Sequence, residues 1–263
     1  MKPTMANWAG PAVLALVFVL TAGFAAPAVS AERVGIAASQ KWHGRAFELR
    51  GQFYRPAGRA RAPAVILMHG CGGLGASVRA ALDAHARNLV RNGFAALVLD
   101  SFGSRGIPGD WVCRSLNRLA EARHYRLADA RDAIRWLKSR PDIDSRNLFL
   151  MGQSNGGSVA LRAAAAGGVR AVAAYYPWCG AASANRVPLI VFGGGKDDWV
   201  PPDECGRRRQ SKRYRFVLYD AAAHSFDVKA ATQSYLGHRI GYDARATADS
   251  RRRMVAFFRQ HMR

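Results

Sequence analysis

Residues Asn147–Leu161 read NLFLMGQSNGGSVAL. A short apolar run enters the five-residue pattern Gly152-Gln153-Ser154-Asn155-Gly156, and a small-residue segment with helical spacing leaves it. A run of this length bounded by glycine suits a buried strand, and the segment after it suits a helix. Glycine has a steric task in such a junction. Without side chains at 152 and 156 the chain turns sharply, and the residue between them is exposed at the tip. Ser154 at that tip is a candidate nucleophile. The backbone N–H of Asn155, at the positive end of the following helix, is a candidate donor to an oxyanion. A polar cap on a glycine-rich turn would show the same five residues, so the surrounding sequence has to decide.

Outward from this stretch, short apolar runs alternate with helical patterns. Strands are predicted over Phe47–Tyr54, Ala64–Met68 (AVILM), Phe94–Leu99, Leu148–Met151, Val169–Tyr175, Pro188–Phe192 and Phe216–Tyr219. Helices are predicted over Ser77–Asn92, closed by Gly93, Leu119–Arg140, stopped by Pro141, Ser154–Ala166, Asp203–Lys212 and Ala244–His261. The loop 101–116 carries Gly103, Gly106, Pro108 and Gly109. Runs of this kind imply parallel βαβ units covered on both faces: an α/β fold, a three-layer αβα sandwich around a mostly parallel sheet. Functional sites in such sheets sit at the carboxyl ends of the strands. Every candidate below falls just after a predicted strand.

A serine hydroxyl becomes a good nucleophile when a base takes its proton and an acid orients that base. With a strand–Ser–helix junction the partners follow in the order Ser, Asp or Glu, His. After Pro188–Phe192 comes GGGKDDWVP, in which either Asp197 or Asp198 could serve, and Asp197 is the favoured one. Of seven histidines, His43, His69, His85 and His124 precede Ser154 and fail the order. His238 has no predicted strand ending before it, and His261 sits at the C-terminus. His224, a short alanine-rich loop after Phe216–Tyr219, is the expected base. A second oxyanion donor belongs after an earlier buried strand, where His69-Gly70-Cys71-Gly72-Gly73 stands; the N–H of Cys71 is the candidate, and His69 is expected to brace the loop.

Taken together, VILMHGCGGL, VLDSFGSRGI, GQSNGG, GGGKDDWVPP, AAAHSFD and the closing helix DARATADSRRRMVAFF resemble the dienelactone hydrolase family of α/β hydrolases. The resemblance runs from Phe47 to Phe258 and implies an eight-stranded-type α/β hydrolase sheet. It also implies a Ser or Cys–His–Asp triad and hydrolysis of a carboxylic ester or lactone; no CxxC or Cys/His cluster has zinc spacing, and no residue pattern suggests a cofactor. The family's namesakes carry cysteine where this chain has Ser154, which points to a serine esterase rather than to dienelactone as substrate. Two other readings share the pattern: a peptidase or amidase on the same fold, and a catalytically silent fold that binds an anionic envelope polymer.

Loop residues at the same sheet edge furnish cleft candidates: Phe102, Arg105, Trp111, Trp178 and Trp199, with Arg105 a potential partner for a substrate carboxylate. The four cysteines allow three pairings. Cys71 and Cys113 follow adjacent predicted strands, as do Cys179 and Cys205, so Cys71–Cys113 and Cys179–Cys205 are expected.

The N-terminus reads as a leader. Lys2 precedes the apolar run Ala12–Ala26, too short to span a bilayer comfortably, and Val29-Ser30-Ala31 offers a cleavage site after Ala31. Residues 1–31 are thus expected to be a signal peptide, and Glu32–Arg263 one domain, exported to the periplasm or beyond; an even cysteine count fits that compartment. Net charge is +21, and Lys2 is the only ionisable side chain in the leader, leaving +20. Runs such as Arg207–Arg209 and Arg251–Arg253 suit a solvated basic face. A weak contact with an anionic membrane or envelope surface fits export better than nucleic acid does. The expected partner is a small ester or lactone, with no obligate protein partner.

Overall fold

The computed structural model describes Met1 and residues 30–180, 185–208 and 210–263. In chain order the elements are β1 (Ser30–Ala37), β2 (Glu48–Arg55), β3 (Ala62–Met68), α1 (Ala76–Arg91), β4 (Ala95–Asp100), α2 (Leu116–Ser139), β5 (Ile143–Gln153) and α3 (Asn155–Ala166). There follow β6 (Ala171–Tyr175), β7 (Leu189–Gly194), α4 (Asp203–Gly206), β8 (Tyr214–Tyr219), β9 (Gln233–Tyr235), β10 (His238–Ile240) and α5 (Ala244–Gln260).

Eight strands form one sheet in the order β1-β2-β4-β3-β5-β6-β7-β8. From β4 to β8 the pairing is parallel, and β1 and β2 add an antiparallel edge. All seven residues of β3 are buried, and they divide by the two-residue period of a strand. Ala62, Ala64, Ile66 and Met68 pack with α2 and α3 on one face, while Val65 and Leu67 pack with α1 and α5 on the other. This is why the central strands read as unbroken apolar runs rather than as alternation. Helix α1 contributes one stripe, with Leu82, His85, Ala86 and Leu89, while α3 is buried nearly all round. Asp243 caps α5 by accepting from the Ala246 N–H at 2.9 Å.

Three regions depart from the sequence reading. The helix expected over Asp203–Lys212 ends at Gly206, a residue whose backbone freedom makes a continuing turn costly. Strand β1 was not anticipated; it pairs Ser30 with Arg55 and Ala31 with Tyr54, so cleavage after Ala31 would leave Glu32–Ala37 to hold the edge. The rest of the expected leader, residues 2–29, lies outside the described residues. The β9–β10 hairpin was missed because its strands are three residues each. Its turn places Leu236 and Gly237 at φ 52° and 84°, the double positive φ of a type I′ hairpin turn. No helix among the described residues is long and apolar enough to cross a membrane.

Candidate active site

Ser154 occupies the turn between β5 and α3 with φ 51° and ψ −117°, a conformation L-residues rarely adopt. The turn is fixed by what surrounds it. A Cβ on Gly152 would collide with the Gly156 carbonyl, and one on Gly156 would collide with the carbonyls of His69 and Met68. The Ser154 N–H donates to the Tyr175 carbonyl at 2.9 Å, tying the tip to the end of β6.

At the end of β8 the chain brings His224 over this tip. His224 Nε2 lies 3.0 Å from Ser154 Oγ, and its Nδ1 lies 2.7 Å from Asp197 Oδ2. The other carboxylate oxygen of Asp197 accepts from the N–H groups of Trp199 at 3.0 Å and Val200 at 2.8 Å, which aims Oδ2 at the imidazole. Asp198 does different work: it accepts from the Arg239 N–H at 2.8 Å and anchors the β9–β10 hairpin. Trp199 and the Tyr176 ring enclose His224, with ring centroids 5.1 and 4.7 Å away. His238, expected in a loop, begins β10 and stacks on Trp199 at 5.1 Å.

The loop after β3 lies alongside. His69 is fully buried; it donates from Nδ1 to the Gly70 carbonyl at 2.7 Å and accepts at Nε2 from the Ser101 N–H at 3.3 Å. Burial, with the nearby Arg126 charge, holds its pKa well below 6.5, so the ring is neutral. Arg126 is itself fully buried, and burial pulls its pKa down to about 10. Its guanidinium donates to the His69 carbonyl at 2.5 Å and to Asn155 Oδ1 at 2.7 Å. Asn155 Nδ2 donates to the Leu119 carbonyl at 3.1 Å, so this side chain is fixed from both ends. As the first residue of α3, Asn155 has a backbone N–H with no intrahelical acceptor.

Two cavities meet at Ser154. One, of about 240 Å³, is lined by His224, Tyr176, Tyr235, Val78, Val228 and Ile240 among others. A second, of about 290 Å³, is lined by Asn155, Leu116, Leu119, Arg123, Trp178 and Val200. Cys71, Ser154 and Trp199 belong to both. Of the aromatics expected at the cleft, Trp178 and Trp199 are there. Phe102 is not: only 1% exposed, it packs edge-on against His69 at 4.7 Å and beneath the Arg126 guanidinium. Arg105 is corrected as well. It is buried and meets Asp129 bidentately, at 2.8 and 2.6 Å, with its guanidinium over Tyr125, Phe47 and Trp42. Burial pushes the Asp129 carboxyl up against that pairing. Trp111 lies outside both cavities, under Arg118 at 3.9 Å. Disulfides join Cys71 to Cys113 and Cys179 to Cys205, with Cα atoms 5.0 and 5.3 Å apart; the first ties down the loop that borders both cavities.

Behind the serine lies a second polar cluster absent from the sequence reading. Asp227 accepts from His85 Nε2 at 2.6 Å, Gln153 Nε2 at 2.7 Å and the Tyr176 hydroxyl at 2.5 Å. Burial alone would raise the Asp227 pKa; the donors, His85 foremost, hold it below the usual carboxylate range. Tyr176 keeps its proton, because burial and the Asp227 charge push its pKa far up. The signal available for Tyr176 was its place directly after a strand. Arg123 and Arg126 gave none, since charged residues of an amphipathic helix read as its wet face.

Comparison with known proteins gives a consistent picture. A model of the dienelactone hydrolase family matches residues 49–262. A Bradyrhizobium protein named "Probable 2-oxo-3-(5-oxofuran-2-ylidene)propanoate lactonase" is 26% identical over 194 residues, covering 65% of this chain and 76% of its own. The crystal structure of a dienelactone hydrolase from Anabaena variabilis superposes with TM-score 0.64 at 20% identity, covering 89% of this chain and 99% of that one. A dienelactone hydrolase-like promiscuous phosphotriesterase from metagenomic libraries superposes with TM-score 0.68 at 21% identity and the same coverage. At these identities the two structures speak for the fold.

Proposed function

The chain belongs to the dienelactone hydrolase family, a family of hydrolases, and on that premise we propose that it is an exported serine hydrolase that cleaves carboxylic esters or lactones through an acyl-enzyme on Ser154. The observation that carries this reading is the hydrogen-bonded chain Ser154–His224–Asp197 at 3.0 and 2.7 Å, opening onto two cavities. With Nδ1–H donated to Asp197, Nε2 of His224 is left as the acceptor that faces the serine hydroxyl. His224 takes the Ser154 proton as Oγ attacks the substrate carbonyl. The N–H groups of Cys71 and Asn155 hold the oxyanion. His224 then returns the proton to the departing alcohol, the acyl group stays on Ser154, and a water activated by the same imidazole releases it as the acid. A lactone follows the same steps with its alcohol tethered, in keeping with the name of the Bradyrhizobium relative.

Export is supported by the apolar leader pattern before Ala31 and by two disulfides, which persist in oxidising compartments. Ser154→Ala is expected to lower turnover of p-nitrophenyl butyrate by about 10^5–10^6-fold. A fluorophosphonate probe is expected to label the wild-type protein at Ser154. Wild-type turnover in the variant, or labelling elsewhere, overturns the assignment.

A further inference from the structure

The two cavities differ in chemistry, and one side chain makes the difference. Apart from His224, the first presents no ionisable side chain other than tyrosine: Val78, Val228, Ala230 and Ile240 form its walls. The second holds Arg123. On α2, Leu116, Leu119 and Arg123 recur at helical spacing along one wall, and Trp178 faces them. The Arg123 guanidinium carbon stands 4.7 Å from the centroid of the Trp178 ring. Its Nε is buried and no described residue accepts a hydrogen bond from it. Among the described residues the charge that shifts it is another cation, Arg162; burial, foremost, together with that charge lowers its pKa. Arg105 and Arg126 share an unpartnered Nε, but their terminal guanidinium nitrogens have acceptors in place, at Ser101, Asp129, His69 and Asn155.

A half-buried guanidinium with a free donor edge and a cation beside it lacks one thing, an anion. The position of His224 orients the substrate. The departing alcohol must lie next to Nε2 to receive its proton, and His224 lines the first cavity but not the second. Asn155, a candidate oxyanion donor, lines the second. The alcohol therefore occupies the apolar cavity and the acyl chain runs toward Arg123.

We infer that Arg123 sets acyl specificity: the substrate is an ester of an apolar alcohol whose acyl chain ends in a carboxylate, held by Arg123 against Trp178. This rests on the hydrolase reading above. Hydrolysis breaks the bond between the acyl carbon and the alcohol oxygen, adds one water and yields a dicarboxylate and the free alcohol. The carboxylate bound by Arg123 is unchanged throughout.

The test compares kcat/KM for p-nitrophenyl hydrogen glutarate and for p-nitrophenyl valerate, which matches it in chain length without the charge. The wild-type ratio is expected to favour the glutarate ester. Arg123→Gln is expected to lower that ratio about tenfold, about 1.4 kcal/mol, mostly through KM, and Arg123→Lys to restore part of it. Arg146→Gln, a change of similar charge at an exposed position near the start of β5, is expected to keep the wild-type ratio and so separates local recognition from the general positive field. A ratio unmoved by Arg123→Gln overturns the inference. Cleavage of neither ester by the wild type overturns the hydrolase reading instead. Titration with glutarate, followed by calorimetry in wild-type and Arg123→Gln protein, then decides the Arg123 site by itself. Equal affinity in the two overturns it.

Discussion

His224 and His85 each meet an aspartate inside this protein, at 2.7 and 2.6 Å, and all four side chains are at most 2% exposed. The two pairs differ in which nitrogen faces the acid and in what stands at the other. His224 gives Nδ1 to Asp197 and turns Nε2 to Ser154 at the mouth of a cavity. His85 gives Nε2 to Asp227, and its Nδ1 is buried with no partner among the described residues. On the mechanism proposed above, a histidine–aspartate contact serves catalysis only where the other ring nitrogen faces a nucleophile. The first pair ends at a hydroxyl on a strained turn, and the second ends in the core. Asp227 uses its remaining capacity on Gln153, next to the serine, and on Tyr176, which packs on His224. The second pair supports the first from behind.

The largest expected effect breaks the comparison most directly. Asp197→Asn removes the acceptor that fixes the His224 tautomer, and kcat is expected to fall about 10^4-fold. Asp227→Asn leaves the Ser154–His224–Asp197 chain intact, and kcat is expected to fall less than about tenfold. Steady-state kinetics on p-nitrophenyl butyrate separates the two. If Asp227→Asn costs 10^3-fold or more, Asp227 takes part in the proton chemistry and the two pairs share one role.

Stability sharpens the contrast in the opposite direction. Asp227→Ala leaves three donors, on His85, Gln153 and the Tyr176 hydroxyl, without an acceptor in the core, and is expected to cost about 3–5 kcal/mol in urea unfolding. Asp197→Ala strips the Trp199 and Val200 amides of their acceptor at a cavity rim that water can reach, and is expected to cost about 1–3 kcal/mol. Equal losses would mean that both aspartates are chiefly architectural.

The same contrast explains what the sequence made legible. The buried strands and the Gly152–Gly156 turn were readable because their signals are local: apolar runs stopped by glycine, and a serine that only a glycine-flanked turn can present. His224 followed from chain order. Asp197 was favoured over Asp198 although both follow the same strand; the folded loop adds the two backbone amides that aim Asp197 at the imidazole. Phe102 and Arg105 were misplaced for a longer-range reason. Their partners Arg126 and Asp129 lie on α2, where a charged residue ordinarily reads as solvent-facing, yet here both are buried. His85 and Asp227 are 142 residues apart and face the core from α1 and from the loop after β8, so no window of sequence joins them.

The smallest expected effect concerns pH. Burial lowers the pKa of His85 from its ordinary 6.5, although the Asp227 hydrogen bond and charge oppose the shift. Burial and Arg126 lower His69 further. Both rings are neutral in the folded protein and take up a proton more readily once unfolded. Their contribution is therefore fully present above pH 6.5 and is lost as pH falls through 6.5 toward the folded values. Asp227, held below the usual carboxylate range, acts in the same direction but only at far more acid pH, so it adds nothing between pH 7.5 and 5.5. Across that interval the two histidines together are expected to remove about 1–3 kcal/mol of stability, read as a falling midpoint in urea. His85→Gln keeps a donor for Asp227 and cannot titrate, so the acid-induced loss is expected to shrink by the share His85 carries. An unchanged pH profile in that variant would mean that His85 is already protonated in the fold. The second pair would then be a buried ion pair, unlike the first in charge as well as in position.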